Sequence, residues 1–228
     1  MASLTISELY DLEHTQAKEY LQQFTYPWEA LEGISDMILA LGAQLGDDYE
    51  EVSEHVWVHR TAKVFPSAYL GAPCIIGPNT QVRHGAFVRG SALVGCDCVV
   101  GNSVELKNVI LFDHVQVPHY NYVGDSILGY HAHMGAGSIT SNVKADNKNV
   151  VIRGGAPDAP GEEAISLETG RRKVGAFLGN YADLGCNAVC NPGTVIGPHT
   201  NVYPTTCVRG VIPGNSIVKN NGAVVARR

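Results

Sequence analysis

The chain has 228 residues, with 16 Lys and Arg against 22 Asp and Glu and a net charge of −6. The basic residues are scattered, which excludes a basic surface for nucleic acid or for a membrane. No run is long and apolar enough to span a bilayer, and the start MASLTISELYDLEH lacks the regions of a signal peptide. We therefore expect a cytoplasmic protein with one domain and a small appendage.

Residues 1–50 are predicted to form a helical segment. Thr5 and Glu8 make a capping box, and Pro27 begins a second helical pattern whose apolar face ends at Gly42. Amphipathic helices need an apolar surface to cover. We expect these helices to pack on a neighbouring subunit or on the open first coil of the following domain.

Residues 51–222 are predicted to form that domain, because they repeat with a period of six, and residues 223–228 form a tail. An aliphatic residue returns at every sixth position, and a small residue stands four places after it. The first run of aliphatic positions is Val58, Val64, Leu70, Ile76, Val82, Val88, Val94, Val100, Leu106 and Phe112, and the second is Leu178, Leu184, Cys190, Ile196, Val202 and Val208. A period of six is typical of a hexapeptide β-helix, in which both kinds of residue point inward.

The six cysteines show no metal-binding or disulfide pattern. Cys96 and Cys98 have no matching second pair, and Cys74 falls with Cys98 on a small-residue position of the repeat. We therefore expect small buried thiols and no metal site.

Residues 145–175 abandon the hexad and are rich in Gly, Pro and charge. Two β-prone runs, 149–153 and 164–167, flank a turn-forming centre, which predicts a projecting loop or hairpin. Loops on rigid scaffolds often carry function, and a merely solvated insertion is the alternative.

Two cations are predicted to stack on one edge of the coil. Arg89 and Lys107 are 18 residues apart, which is three hexads, and both follow an inward aliphatic residue. At a strand spacing of ~5 Å their charges repel unless an anion joins them, and a phosphate suits that role. The alternative is that both side chains are solvated and bend apart.

The hexad loses one residue at the stretch PHYNYVGD. Pro118 takes the place of an inward aliphatic residue, and the next anchor comes one place early, at Val123. A residue missing from a corner re-aims nearby side chains, much as a bulge does in a sheet. His119, which stands here beside the hydroxyls of Tyr120 and Tyr122, is therefore a candidate catalytic residue.

The stretch 101–148 resembles the acetyltransferase half of bifunctional glucosamine-1-phosphate acetyltransferase/sugar-1-phosphate nucleotidyltransferases. Its core motif is H-x-x-Y-x-G-D followed by GAGSITSN, and ETGRRKVGAFLGNYADLG at 168–185 is similar to their archaeal-type branch. The resemblance covers residues 26–218 and implies a left-handed parallel β-helix that forms a homotrimer with sites between subunits. The Gly-rich loop of the nucleotidyltransferase half is missing, so we expect no such domain.

The same resemblance implies an activity. The chain would be an acetyl-CoA-dependent N-acetyltransferase acting on an amino-sugar 1-phosphate, of glucosamine or galactosamine type, in nucleotide-sugar biosynthesis. His119 would take the proton from the amine as it attacks the thioester. Asn142 would help to place the acetyl group, and the backbone amide of Ala136 would hydrogen-bond the thioester oxygen.

Further site residues follow from the resemblance. The residues matched to sugar-phosphate binding are Arg89, Lys107, Tyr122, His133 and Lys148. The candidates for the phosphates of CoA are Arg171, Arg172 and Arg209. His133 and Val143 replace an asparagine and a tyrosine of the bacterial enzymes, which leaves the sugar open.

Three alternatives remain. A γ-class carbonic anhydrase would share the prism and bind zinc through three histidines, but a third ligand is missing two full coils above His114, because His84 falls on another face. A non-catalytic binding or assembly module is favoured by the helical N-terminus and disfavoured by the retained site residues. Another acyl acceptor or donor on the same fold is the third.

Overall fold

The computed structural model describes residues 4–154 and 165–227. Most of them form a coil of short strands in which nearly all neighbouring strands are parallel. The expected parallel β-helix of hexapeptide repeats, preceded by short helices, is confirmed. Within the described residues, no helix has the length and apolar character needed to cross a membrane.

Each coil has three faces, which we name the site face, the covered face and the third face. The site face contains Tyr69–Leu70, Phe87–Val88, Ile139–Thr140, Val189–Cys190, Cys207–Val208 and the first halves of Glu105–Leu111 and Tyr122–Leu128. The covered face contains the second halves of those two strands and Val56–His59, Cys74–Ile76, Ala92–Val94, Ala176–Leu178, Thr194–Ile196 and Val211–Ile212, with Tyr49–Ser53 antiparallel at its start. The third face contains Lys63–Val64, Gln81–Val82, Val99–Asn102, Gln116–His119, His133–Met134, Asp183–Leu184, Asn201–Val202 and Ser216–Val218, with Val224–Ala226 antiparallel at its end.

The predicted aliphatic columns fill the interior of the coils. Leu106, Val123 and Leu184 are fully buried, as are most of the other predicted positions. Val64 and Leu70, on the first coil, are only half-buried. The inward column is therefore confirmed along most of the β-helix, and its first coil is the loosest.

The missing residue lies at Asn108, which corrects the expectation that the hexad breaks at His119. Glu105 pairs with Phe87, 18 residues earlier, whereas Val109 pairs with Ala92, only 17 residues earlier. The corner between these pairs therefore lost one residue. Asn108 closes it with a φ of 55°, a left-handed conformation that asparagine adopts more readily than most residues.

This short corner moves the inward register by one place. Leu111 rather than Phe112 continues the inward column of the covered face, and Val117 rather than Pro118 continues that of the third face. Phe112 is nevertheless fully buried, because its ring lies 5.1 Å from the ring of Tyr10 in the N-terminal segment.

The N-terminal segment contains the α-helices Ile6–Leu9, Lys18–Leu21 and Ile34–Gly42 and the 3-10 helices Leu12–His14 and Pro27–Leu31. The predicted capping box is present, since Glu8 accepts hydrogen bonds from the backbone and hydroxyl of Thr5. The hydroxyl of Tyr10 donates to the carbonyl of Ile127 at 3.2 Å. The ring of Trp28 lies 6.1 Å from that of Phe177. The segment therefore packs across several coils of its own chain, rather than on the first coil alone.

The covered face explains this packing because it is apolar on both sides. Its outward side chains are as buried as its inward ones, and they are Ile75, Leu93, Ile110, Ile127, Phe177 and Val195. Three-residue apolar runs at coil spacing, such as CII and AFL, are the sequence signal for such a face. Burying these side chains against the helices supplies the apolar contact that an amphipathic helix requires.

The insertion contains an antiparallel pair, Val151–Gly154 with Ile165–Glu168, close to the two predicted β-prone runs. Residues 155–164, its predicted centre, lie outside the described residues. Val150 and Ile152 are buried against the later coils, where a Cβ added at Gly193 would meet both. The base of the hairpin therefore has a fixed position on the β-helix.

The cysteines are free and do not cluster. Cys74, Cys98 and Cys190 are buried, and burial raises the pKa of the Cys74 and Cys190 thiols to about 12. Such thiols remain protonated and behave as small apolar side chains. Among residues 4–154 and 165–227, no group of three potential metal ligands is present.

Candidate active site

The first group of site residues lies at the corner between the third face and the site face. His119 ends the strand Gln116–His119, and its side chain is exposed. Ala136 occupies the same corner one coil later, because the N–H of Gly137 donates to the carbonyl of His119 at 2.9 Å. In the described part of the chain, the N–H of Ala136 has no hydrogen-bond acceptor. An imidazole and an available amide donor thus lie on adjacent coils.

Asn121 holds this corner in place, and the sequence analysis missed it. Its side chain is 2% exposed; its oxygen accepts from the N–H of His119 at 3.1 Å and its nitrogen donates to the carbonyl of Gly135 at 2.8 Å. These two hydrogen bonds connect the backbone at His119, just before the corner, to the backbone of the next coil at Gly135. Hydrogen bonds therefore hold the backbone on which His119 stands, while its exposed ring has no hydrogen-bond partner among the described residues.

The second group lies at the corner between the site face and the covered face. Arg89 and Lys107 occupy matching places on adjacent coils, as the N–H of Arg89 donates to the carbonyl of Leu106. Arg89 Nη1 lies 2.8 Å from Glu105 Oε1, and Lys107 Nζ lies 2.9 Å from Asp125 Oδ1. The two cations stand at the predicted places on adjacent coils, and each lies beside a carboxylate that offsets its charge.

Asp125 is the centre of this second group. Its side chain is 3% exposed and, besides Lys107, it accepts hydrogen bonds from Asn108 Nδ2 at 3.0 Å and from Asn142 Nδ2 at 2.6 Å. Asn142 Nδ2 also donates to the hydroxyl of Tyr122 at 3.1 Å. Burial and then the negative charge of Asp125 raise the pKa of Tyr122, so its phenol stays protonated.

The two groups lie at opposite ends of the site face. The chain leaves the first corner at His119, crosses the site face through Tyr122, and reaches the second corner at Asp125. Tyr122 is half-buried and its hydroxyl belongs to the second group. A ligand lying along this face would therefore meet the imidazole at one end and the cations at the other.

The remaining predicted substrate residues lie away from these groups. His133 is on the third face, where its Nδ1 lies 2.7 Å from Asp183 Oδ1, and this contact lowers the pKa of Asp183. Lys148 is exposed near the base of the hairpin, and its backbone N–H donates to Asp146. In this single chain the structure does not bring His133 and Lys148 to the site face.

The three arginines predicted for CoA also separate. Arg171 turns toward the N-terminal segment, where its Nη1 lies 3.2 Å from Glu32 Oε2, and Arg172 is exposed. Arg209 alone lines a surface cleft of about 580 Å³ between the hairpin and the later coils. Arg153 and Lys144 line the same cleft. Its wall includes Ser141 and Val143, so the cleft adjoins Asn142.

Asp125 and Glu105 were not predicted as site residues. Asp125 is the last letter of the motif H-x-x-Y-x-G-D, so the sequence contained a signal for it. Glu105 lies two residues before Lys107 on the same strand, and alternation places both on one side of the sheet. An outward carboxylate beside an outward cation on a coil edge is the signal that could have identified it.

Comparison with known proteins gives a family match over part of the chain. The model of the GMPPB C-terminal domain matches residues 72–156. A bifunctional sugar-1-phosphate nucleotidylyltransferase/acetyltransferase of Sulfurisphaera tokodaii is 25% identical over 224 residues, which cover 90% of this chain and 54% of that protein. A bifunctional protein GlmU of Methanococcus maripaludis strain C5 is 26% identical over 225 residues, covering 97% of this chain and 53% of that protein.

Solved structures show a weaker likeness. PerB from Caulobacter crescentus, in complex with CoA and GDP-perosamine, is 18% identical with a TM-score of 0.39 and covers 74% of this chain and 56% of its own. The polySia-specific acetyltransferase NeuO is 10% identical with a TM-score of 0.47 and covers 73% of this chain and 80% of its own.

The sequence comparisons confirm the resemblance that the motif suggested. This chain spans about half the length of the curated relatives first described above. It is a hexapeptide-repeat β-helix protein that is similar, over nearly all of its length, to bifunctional proteins of the GlmU type.

Proposed function

We propose that this protein is an acetyl-CoA-dependent N-acetyltransferase acting on an amino-sugar 1-phosphate. The observation that supports this most directly is the pair of groups on the site face, with His119 and the Ala136 amide at one corner and Arg89 and Lys107 at the other. In an amino-sugar 1-phosphate, the reacting amine and the phosphate are on different carbons, so each can meet one of the two groups. The name of the Sulfurisphaera relative, which includes an acetyltransferase, agrees with this proposal.

The proposed reaction is a direct acyl transfer. The nitrogen of the amine attacks the carbonyl carbon of the thioester, a C–N bond forms, and the C–S bond breaks. His119 takes the proton lost by the amine, and the leaving thiolate takes up a proton to become the free thiol. The N–H of Ala136, which has no acceptor of its own in the described part of the chain, donates to the thioester oxygen as charge develops there.

The proposed phosphate site consists of Arg89, Lys107 and the hydroxyl of Tyr122. Each cation is held by a carboxylate, which fixes the geometry and limits the net positive charge. We expect His133 and Lys148 to contact a substrate only across a subunit interface of the proposed homotrimer. In one chain they lie away from the site face.

The proposed position of the acyl donor follows from the cleft beside Asn142. Arg209, Arg153 and Lys144 line it and are suited to the phosphates of CoA. Asn142 lies where this cleft adjoins the site face, so that it can place the acetyl group. Arg171 and Arg172 do not line the cleft, and their proposed contact with CoA has less support.

The decisive experiment measures thiol release from acetyl-CoA with a panel of amino-sugar 1-phosphates. We expect glucosamine or galactosamine 1-phosphate to release thiol and His119→Ala to lose most of it, by about 100-fold or more, as expected for removal of a general base. His84→Ala is the matched control, because His84 lies at the same corner on an earlier coil and pairs with Ser67. If no amino sugar gives turnover above background with the wild type, the enzyme proposal should be dropped.

A non-catalytic module is the second candidate that this assay tests. Its main support was the helical N-terminus, which a partner protein could bind. That segment packs on its own β-helix, so this feature no longer points to a partner.

A further inference from the structure

We infer that Asp125 is a positioning residue that orients Asn142, Tyr122 and Lys107 for the reaction. This inference rests on the proposed function for its kinetic consequences. The hydrogen-bond arrangement itself stands on the structure alone. Asp125 lies at a corner, is almost fully buried, and accepts hydrogen bonds from Asn108 and from two predicted site residues, Lys107 and Asn142.

The first consequence concerns the orientation of the Asn142 amide. An ionised carboxylate accepts hydrogen bonds and cannot donate them. Asn142 must therefore present its NH2 group to Asp125, at 2.6 Å. The amide oxygen of Asn142 then points away from Asp125, where it can accept a hydrogen bond from a ligand. Without the carboxylate, the two ends of the amide would be interchangeable.

The second consequence concerns the direction in which Tyr122 donates. The same NH2 group of Asn142 donates to the hydroxyl oxygen of Tyr122 at 3.1 Å. Since that oxygen already accepts a hydrogen bond, its own hydrogen is free to donate elsewhere. A phosphate oxygen accepts such a bond well. Through Asn142, Asp125 thus leaves the Tyr122 hydroxyl able to donate its hydrogen bond to an anion.

The third consequence concerns Lys107. Lysine is a flexible side chain whose ammonium loses rotamer freedom when it is held in one place. Asp125 Oδ1 holds that ammonium at 2.9 Å, and Asn108 Nδ2 donates to the same oxygen at 3.0 Å. One buried carboxylate therefore joins the proposed phosphate side of the site to the acetyl side.

The fold explains why an aspartate stands here. Asn108 and Asp125 are single-residue corners on successive coils, with φ of 55° and 48°. The residue lost at Asn108 brings the corners into register, because Lys107 pairs with Gly124 on the next strand. Aspartate tolerates this left-handed backbone, so the same position provides both the turn and the carboxylate.

The test is Asp125→Asn, which keeps the size of the side chain and its tolerance of positive φ. Its NH2 group would face the NH2 group of Asn142, so the amide must turn over and the Tyr122 hydroxyl no longer accepts a hydrogen bond from it. We expect kcat to fall and KM for the sugar phosphate to rise, with kcat/KM lower by about 100-fold, the cost of a misplacement of ~1 Å. Asp113→Asn is the control, since Asp113 accepts from the N–H of Cys96 away from the site face, and its kcat/KM should stay near wild type.

A second readout does not depend on activity. The ζ-carbon NMR signal of Tyr122, identified by its loss in Tyr122→Phe, reports the pKa of the phenol. The charge of Asp125 raises this pKa and the hydrogen bond from Asn142 lowers it. Asp125→Asn removes the charge and, through the turned amide, the hydrogen bond as well. The charge is the larger of these two causes, so the pKa of Tyr122 should fall, whereas Asn142→Ala should raise it. These opposite shifts distinguish a specific contact from a general loss of structure.

The possible results distinguish a failure of this inference from a failure of the proposed function. Lower kcat/KM together with opposite shifts of the Tyr122 titration supports the inference. Unchanged kinetics, or a Tyr122 titration that neither variant moves, overturns it. If the wild type transfers no acetyl group, the proposed function fails and the titration alone decides the role of Asp125. If Asp125→Asn does not fold, Asn142→Ala decides it, because that change leaves the buried carboxylate in place.

Discussion

Single residues decide how closely the coils approach one another beside His119. Gly101 lies in the strand Val99–Asn102, and a Cβ built on it would stand 1.6 Å from the carbonyl oxygen of Pro118. No side chain fits in that space unless the two coils separate. The glycine thus supports the backbone that positions His119. The hexad pattern showed an inward column here, but it did not show which glycine touches the neighbouring coil.

We therefore expect Gly101→Ala to destabilise the protein and to weaken catalysis. Overpacking of this kind costs about 1–3 kcal/mol or more, and a shift of Pro118 would move His119. Gly46→Ala is the matched control, because no atom lies within 4 Å of its added Cβ. Urea unfolding measures both variants, and equal free energies of unfolding would contradict this interpretation.

At the scale of elements, the N-terminal segment and the hairpin base cover one face of the β-helix. Trp28 and Leu31 are buried on that face, and Val150 and Ile152 cover its later coils. The helices were predicted from their own pattern, but their location was not. The covered face shows why, since its outward apolar residues are spread over many hexads and become one surface only after coiling.

We expect Trp28→Ala to cost about 3–5 kcal/mol in the free energy of unfolding. Trp28 is 3% exposed and meets Phe177, so its removal leaves a cavity between the segment and the coils. Tyr69→Ala, which removes an aromatic side chain that is 60% exposed, should cost far less. Limited proteolysis of the first 50 residues should also speed up in Trp28→Ala, and equal cleavage of both variants would argue against the covering role.

At the scale of the whole molecule, one chain brings only some of the predicted site residues to the same face. The site face brings together His119, Ala136, Arg89 and Lys107, whereas the predicted His133 and Lys148 stay apart from it. The resemblance implies that such sites lie between the subunits of a homotrimer. An additional subunit could supply the missing contacts without any change within the chain.

We expect a solution mass of three times 24.4 kDa, measured by light scattering after size exclusion. Dilution to protein concentrations at which the trimer dissociates should lower the activity, because each site would lose the contacts from the neighbouring subunit. A monomer that remained fully active would contradict an intersubunit site.

The amino-acid sequence by itself determined the class of fold and indicated the region of the candidate site. A six-residue period controls which side chains face inward along each strand, and that depends on neighbours close in the chain. The motif around His119 likewise lies in one short stretch, so its residue types and spacing are enough to recognise it.

Only the tertiary structure decided which side chains meet across coils. The contacts of Asp125 join residues 17 or 18 places apart, and their register depends on the residues lost at the corners of Asn108 and Asp125. The sequence pattern pointed to His119 for that loss, because an early anchor at Val123 does not show at which earlier corner the residue is missing. Hydrogen bonding between coils settles that position, since each strand must pair with the next one.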